Sequence, residues 1–158
     1  MKLNERFTLQ EYVPKSVYEK HGERAVRFIS TTLIDADFQL LKDLEVYYGR
    51  PISCTINSWS YGGNRQYSGL RVEGEPYYRP HSLHSMGSAS DKLFKFKDGD
   101  KESIPTKDVY GFIIDNQEKY YAIGMRRMED VRDASSWIHW DTCWTSDAFK
   151  NKIQIVRA

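Results

Sequence analysis

From Thr32 to Tyr48 the apolar residues Ile34, Phe38, Leu41 and Leu44 recur at helical spacing, and Gly49 follows as the expected stop. The stripe predicts an amphipathic helix with one face to bury. After Arg50-Pro51 the run Ile52-Ser53-Cys54-Thr55-Ile56-Asn57 alternates apolar with polar, the period of a half-buried strand. Upstream, Thr8-Leu9-Gln10-Glu11 has the spacing of a capping box opening a short helix, which Pro14 interrupts. Downstream, Ala89–Phe96 reads as a second strand and Lys97-Asp98-Gly99-Asp100 as a turn. Val109, Phe112 and Ile113 mark the buried stripe of a helix near Thr106–Asp115, and Tyr120–Met125 and Ser136–Thr142 read as two further strands. Helices gathered before and between strands in this order predict an α+β domain, a small antiparallel sheet with helices packed on it.

Residues 58–80 show no such period. Gly62-Gly63-Asn64, Ser68-Gly69, Gly74 and Pro76 stand among Trp59, Tyr61, Tyr67, Tyr77 and Tyr78, which predicts a long ordered loop of the functional kind. Cys54 reads as a small buried hydrophobe. Lys92, Lys95 and Lys97 read as the solvated face of a strand edge. Trp59, Trp137, Trp140 and Trp144 are expected in the core or in a cleft wall, and His81 at the surface.

Composition narrows the function classes. A chain of 158 residues fits one domain with a real core, and 40% hydrophobic with 14% aromatic residues argues for a packed protein. The 23 Lys and Arg nearly cancel the 22 Asp and Glu, so charge gives no reason to expect nucleic acid or an anionic membrane as partner. No apolar run approaches the roughly 18 residues of a membrane span, and Met1–Arg6 opens no signal peptide. Synthesis in the cytoplasm without membrane insertion is the expectation.

Candidate chemistry sits in two segments. Ser82-Leu83-His84-Ser85-Met86-Gly87-Ser88-Ala89-Ser90-Asp91 carries one imidazole and one carboxylate, and Trp137-Ile138-His139-Trp140-Asp141 carries a second imidazole. Two imidazoles and one carboxylate make three legs of a tetrahedral zinc site with the fourth position open, the ligand count of a catalytic centre. A structural zinc site is usually closed by four protein ligands and often rich in cysteine, and this chain has only Cys54 and Cys143. On a strand His139 and Asp141 project to one face, while Ile138 and Trp140 project to the other. Gly87 and Ala89 are small enough for a tight turn that runs close under a metal.

At Ser82, His84, Gly87, Ala89 and Asp91 the sequence resembles the zinc D-Ala-D-Ala carboxypeptidase and L-alanyl-D-glutamate endopeptidase family, whose fold is shared with the Hedgehog signalling domain. Trp137-Ile138-His139-Trp140-Asp141 is similar to the family's closing strand, Ser68-Gly69-Leu70-Arg71 to its Ser-Gly-aromatic-Arg, and Asn57–Gly63 to phage-encoded members. The resemblance implies zinc held by His84, Asp91 and His139, a substrate carboxylate held by Arg71, and hydrolysis of a peptide bond in peptidoglycan stem peptides, as in an endolysin. It also implies a holin-type partner or virion packaging to bring the protein to the cell wall.

One position departs from the pattern. Many members carry an acid three residues before the last histidine, where this chain has Ser136, a side chain that takes no proton from water near neutral pH. Glu129 then becomes the base, if strands 120–128 and 136–142 form a hairpin, or Asp141 does, unless Asp141 only orients His139. The third reading is a chain without a base, an inactive member kept as a cell-wall-binding or virion-associated module.

Overall fold

The computed structural model describes residues 1–99 and 102–157. Asp100, last residue of the expected turn, lies outside them. Glu11 accepts a hydrogen bond from the Thr8 backbone N–H at 2.8 Å, so the capping contact forms, although what it caps is a single 3₁₀ turn, Leu9–Glu11. Pro14 then stands immediately before helix α1 (Lys15–His21), where its missing N–H costs nothing. A 3₁₀ stretch, Gly22–Phe28, leads to helix α2 (Thr31–Tyr48). Ser30 caps α2 through its hydroxyl, and Gly49 ends it at φ 62°, a left-handed conformation that suits glycine. Leu33, Ile34, Leu40, Leu41 and Leu44 form its buried face.

Strands β1 (Ile52–Thr55), β2 (Ala89–Phe96), β3 (Arg127–Glu129), β4 (Ile138–Asp141) and β5 (Gln154–Val156) build one open sheet in the order β1-β2-β4-β3-β5. The first four pair antiparallel, but β5 runs parallel to β3, so the sheet is mixed rather than antiparallel. The cause is the connection after β4: residues 142–153 are long enough to cross the sheet end and bring the chain back beside β3 in β3's own direction.

Residues 120–125 differ from expectation. Residues 120–123 belong to helix α4 (Gln117–Ile123), which follows helix α3 (Thr106–Asp115), and the helix ends at Gly124. A short apolar run cannot be assigned by period alone, and burial settles this one. Tyr120 is fully buried, stacks on Trp140 at 5.5 Å between ring centroids, and donates from its hydroxyl to Asp43 of α2 at 2.9 Å. A second difference is Lys92. It is only 1% exposed, whereas Lys95 and Lys97 are solvated as expected.

Alternation along β2 and β4 explains Lys92. Ser90, Lys92 and Trp140 face α2, where Asp37 Oδ1 accepts from Lys92 Nζ at 3.2 Å and from Trp140 Nε1 at 2.5 Å. Asp37 Oδ2 accepts from the Tyr12 hydroxyl at 3.0 Å and from the Ser90 hydroxyl at 2.9 Å. Burial pushes the Lys92 ammonium down, and the Asp37 charge opposes that shift. This dry ionic network pins α2 to the sheet on the face opposite Asp91, His139 and Asp141. No helix among the described residues is long and apolar enough to cross a membrane.

Candidate metal centre

Register brings the first pair of predicted ligands together. Asp91 of β2 lies directly across from His139 of β4, and His139 Nδ1 stands 2.8 Å from Asp91 Oδ1. His84 arrives from the loop before β2. Its Nε2 is 3.2 Å from His139 Nδ1 and 3.3 Å from Asp91 Oδ1, so three donors from two strands and one loop converge. These ligand atoms all lie within 4.8 Å of one another, and all three residues are buried.

The loop holding His84 is fixed by backbone packing. Gly87 has φ 65°, and a Cβ there would fall 1.7 Å from the Phe28 carbonyl oxygen. Its own carbonyl accepts from the Ser30 N–H at 2.9 Å. The close approach is therefore against the chain entering α2, rather than the expected turn running close under a metal. At Gly69 a Cβ would lie 2.2 Å from the Tyr12 carbonyl oxygen, and the Gly69 carbonyl stands 2.8 Å from His84 Nδ1. A carbonyl only accepts, so His84 Nδ1 carries the proton and Nε2 presents its lone pair to the cluster. The sequence reading passed over this contact; an imidazole ligand needs a partner for its second nitrogen, but nothing along the chain identifies Gly69 as the one.

Burial lowers the His84 pKa, with Asp91 acting against it. Burial also works against the charged form of His139, yet the nearby carboxylates of Asp141 and Asp91 prevail and raise it to about 9. Asp91 is held well below the usual carboxylate range: burial would raise it, and the hydrogen bonds from His139 and His84 overcome that. The cluster thus balances the Asp91 charge with a proton on His139. A metal cation in the same place would serve the same balance.

Asp141 and Glu129, the two acids named as candidate bases, have different surroundings. Asp141 is 1% exposed, accepts both Nε and Nη2 of Arg127 at 3.0–3.2 Å, and accepts the Cys143 backbone N–H at 2.9 Å. Its Oδ2 lies 3.7 Å from His139 Nε2. Arg127 sits directly across β3 from Asp141, a pairing legible only once the true start of β3 is known. Glu129 lies further along β3 and lines the same cavity as the triad; among the described residues its carboxylate has no hydrogen-bond or ion-pair partner. The expected hairpin between these segments is real, although its first strand is limited to Arg127–Glu129.

The cavity measures about 340 Å³ and is lined by the triad together with Arg71, Glu129, Trp137 and Arg157, among others. A neighbouring cavity of about 610 Å³ shares Arg71, Asp91 and Trp137 and adds Tyr67 and Tyr77, so the aromatic loop forms part of its wall. Arg71 stands where the two meet, donating from Nε to the Tyr67 carbonyl at 2.7 Å and from Nη2 to Asp91 Oδ2 at 2.8 Å. Ser136 opens instead into a separate cavity with Lys92 and Ile138, and Trp144 is exposed rather than in core or cleft. A larger groove of about 650 Å³, beside α1, contains none of the triad. Compared with family models, curated proteins and solved structures, the chain matches none.

Proposed function

We propose that the protein is a zinc peptidase acting on the stem peptides of bacterial peptidoglycan, of the carboxypeptidase and endopeptidase type that its motif resembles, with the Hedgehog-like fold of that family. The observation that carries this reading is the convergence of His84 Nε2, His139 Nδ1 and Asp91 Oδ1. Zinc bonds of about 2.0–2.1 Å set the edges of a ligand tetrahedron at about 3.3 Å. The three separations here, 3.2, 3.3 and 2.8 Å, suit that ion without rebuilding the backbone. Two nitrogens and one carboxylate oxygen also fit zinc better than magnesium or calcium, which favour oxygen alone.

Zinc held there supplies Lewis acidity to a water and to the scissile carbonyl. The chain's own residues do the rest. Gly69 and Asp141 orient the two imidazoles. Arg71, by holding Asp91 Oδ2, leaves Oδ1 for the metal, and its unengaged Nη1 offers hydrogen bonds to the substrate carboxylate. Glu129 accepts the proton of the attacking water, since it lines the cavity and no group among the described residues hydrogen-bonds to its carboxylate. The alternative of an inactive binding module rested on Ser136, and Ser136 lines a different cavity.

The test is digestion of purified peptidoglycan by the zinc-loaded protein, with and without chelator, and identification of released peptides by mass spectrometry. Chelator-sensitive release of stem-peptide fragments is the expected result. Absence of release from every peptidoglycan chemotype tried, by protein shown to hold zinc, would overturn the peptidase reading.

A further inference from the structure

The cavity of about 610 Å³ beside the triad has the size of a small-molecule site and a chemistry unlike that of the metal cluster. Its rings are Tyr67, Tyr77 and Trp137. Its free polar groups are neutral: among the described residues, the carboxamides of Asn64 and Gln66 and the two phenol hydroxyls make no hydrogen bond. The charged groups are already engaged. Arg65 donates from Nε to the Ile56 carbonyl at 2.8 Å and from Nη2 to the Asp91 carbonyl at 3.2 Å, and Arg71 and Asp91 hold each other. The strap from Asn64 to Ser68 is pinned to β2, where the Asp91 N–H donates to the Ser68 carbonyl at 2.7 Å.

Tyr77 is the unusual member of this wall. It stands in the left-handed region at φ 64°, is 69% exposed, and keeps its ring 6.0 Å from that of Tyr67. It is the third residue of a turn in which Pro76 is second and the Tyr78 N–H closes on the Glu75 carbonyl at 3.3 Å. A positive φ at that position is ordinarily taken by Gly or Asn, so a tyrosine there carries strain, and a ring this exposed offsets little of it by packing. The strain holds an aromatic ring at the cavity wall. Resting on the peptidase reading of the adjoining cavity, we propose that this cavity is a sugar subsite, where an N-acetylated sugar of the glycan strand that bears the stem peptide lies against the tyrosine rings. A pyranose presents an apolar C–H face to an aromatic face, and its hydroxyl and acetamido groups both donate and accept, as carboxamide side chains do. A charged peptide side chain would find the ionic groups here already engaged. Arg71, Asp91 and Trp137 line both cavities, so a sugar in one sets the sugar-proximal peptide bond beside the other.

The probe is N-acetylmuramyl-alanyl-glutamate whose alanyl–glutamate bond is replaced by CH₂–NH, compared with the same pseudodipeptide carrying an acetyl group in place of the sugar. Both are titrated calorimetrically into the zinc-loaded full chain, and neither can be hydrolysed at that bond, so binding is read without turnover. The parent should prefer the sugar-bearing form roughly tenfold, the worth of one well-seated ring contact. Tyr77→Asn removes the ring but keeps a residue suited to positive φ, and should bring that preference close to one with zinc content and affinity for the sugar-free form unchanged. Tyr77→Phe should keep the preference. A parent without preference, a preference that survives Tyr77→Asn, or one that Tyr77→Phe loses overturns the assignment. Digestion of peptidoglycan is scored separately: a Tyr77-dependent preference without hydrolysis keeps the sugar subsite and removes the peptidase reading, and hydrolysis without the preference does the reverse.

Discussion

Asp141 accepts two nitrogens of Arg127 and one backbone amide, while Glu129, on the adjoining strand, faces the same cavity with no partner among the described residues. A carboxylate saturated with donors and shut from water is a poor proton acceptor, because every donor stabilises its charged form. Burial alone would raise the Asp141 carboxyl, and the nearby His139 with the hydrogen bonds from Arg127 bring it below the usual range. Glu129→Gln is therefore expected to cut turnover by roughly 10²–10⁴ with zinc content unchanged. Asp141→Asn should instead weaken zinc binding roughly ten- to a hundredfold, the usual cost of losing the partner of a ligating histidine. Peptide hydrolysis rates and competitive zinc titrations on both variants separate the roles. Parental activity in Glu129→Gln, together with lost activity at full zinc content in Asp141→Asn, would exchange them.

The elements that carry the site were legible where they obey a period. The α2 stripe, the alternation of β1, and the same-face placement of His139 and Asp141 follow from side-chain geometry alone. Elements set by contacts distant in sequence were not. The apolar run 120–125 fits a helix or a strand equally well until Tyr120 meets Asp43 and Trp140, and β5 is three residues long, defined by pairing across the sheet rather than by any pattern of its own. Lys92 was misread because a lysine looks solvated unless the partner that neutralises it is known, and Asp37 comes from a helix far up the chain. The energetics of that pair set an expectation. Asp37→Ala leaves a buried ammonium without its counter-charge and should cost roughly 3–5 kcal/mol in urea denaturation. Asp37→Leu combined with Lys92→Met removes both charges and should recover most of that loss. A double variant as unstable as Asp37→Ala would show that the hydroxyl and indole bonds to Asp37, rather than the ion pair, hold α2 to the sheet.

Across the whole molecule the triad joins parts that local structure does not. His84 hangs from a loop seated on the start of α2, Asp91 belongs to β2, and His139 belongs to β4 beyond two further helices. One face of the sheet is tied to α2 through the Asp37 network, and the other collects two imidazoles and three carboxylates whose mutual arrangement depends on β2, β4 and β3 staying in register. A cation shared by the three ligands would cross-link these parts in the folded chain and have no equivalent site in the unfolded one, so binding must add to stability by mass action. At free zinc near a hundred times the dissociation constant, the melting temperature of the parent should rise by roughly 5–10 °C for a domain of this size. Chelator should reverse the rise. His139→Ala, which leaves His84 and Asp91 as a two-ligand remnant, should show almost no zinc-dependent shift in the same calorimetric scan, and a shift in that variant equal to the parent's would place the metal somewhere other than this cluster.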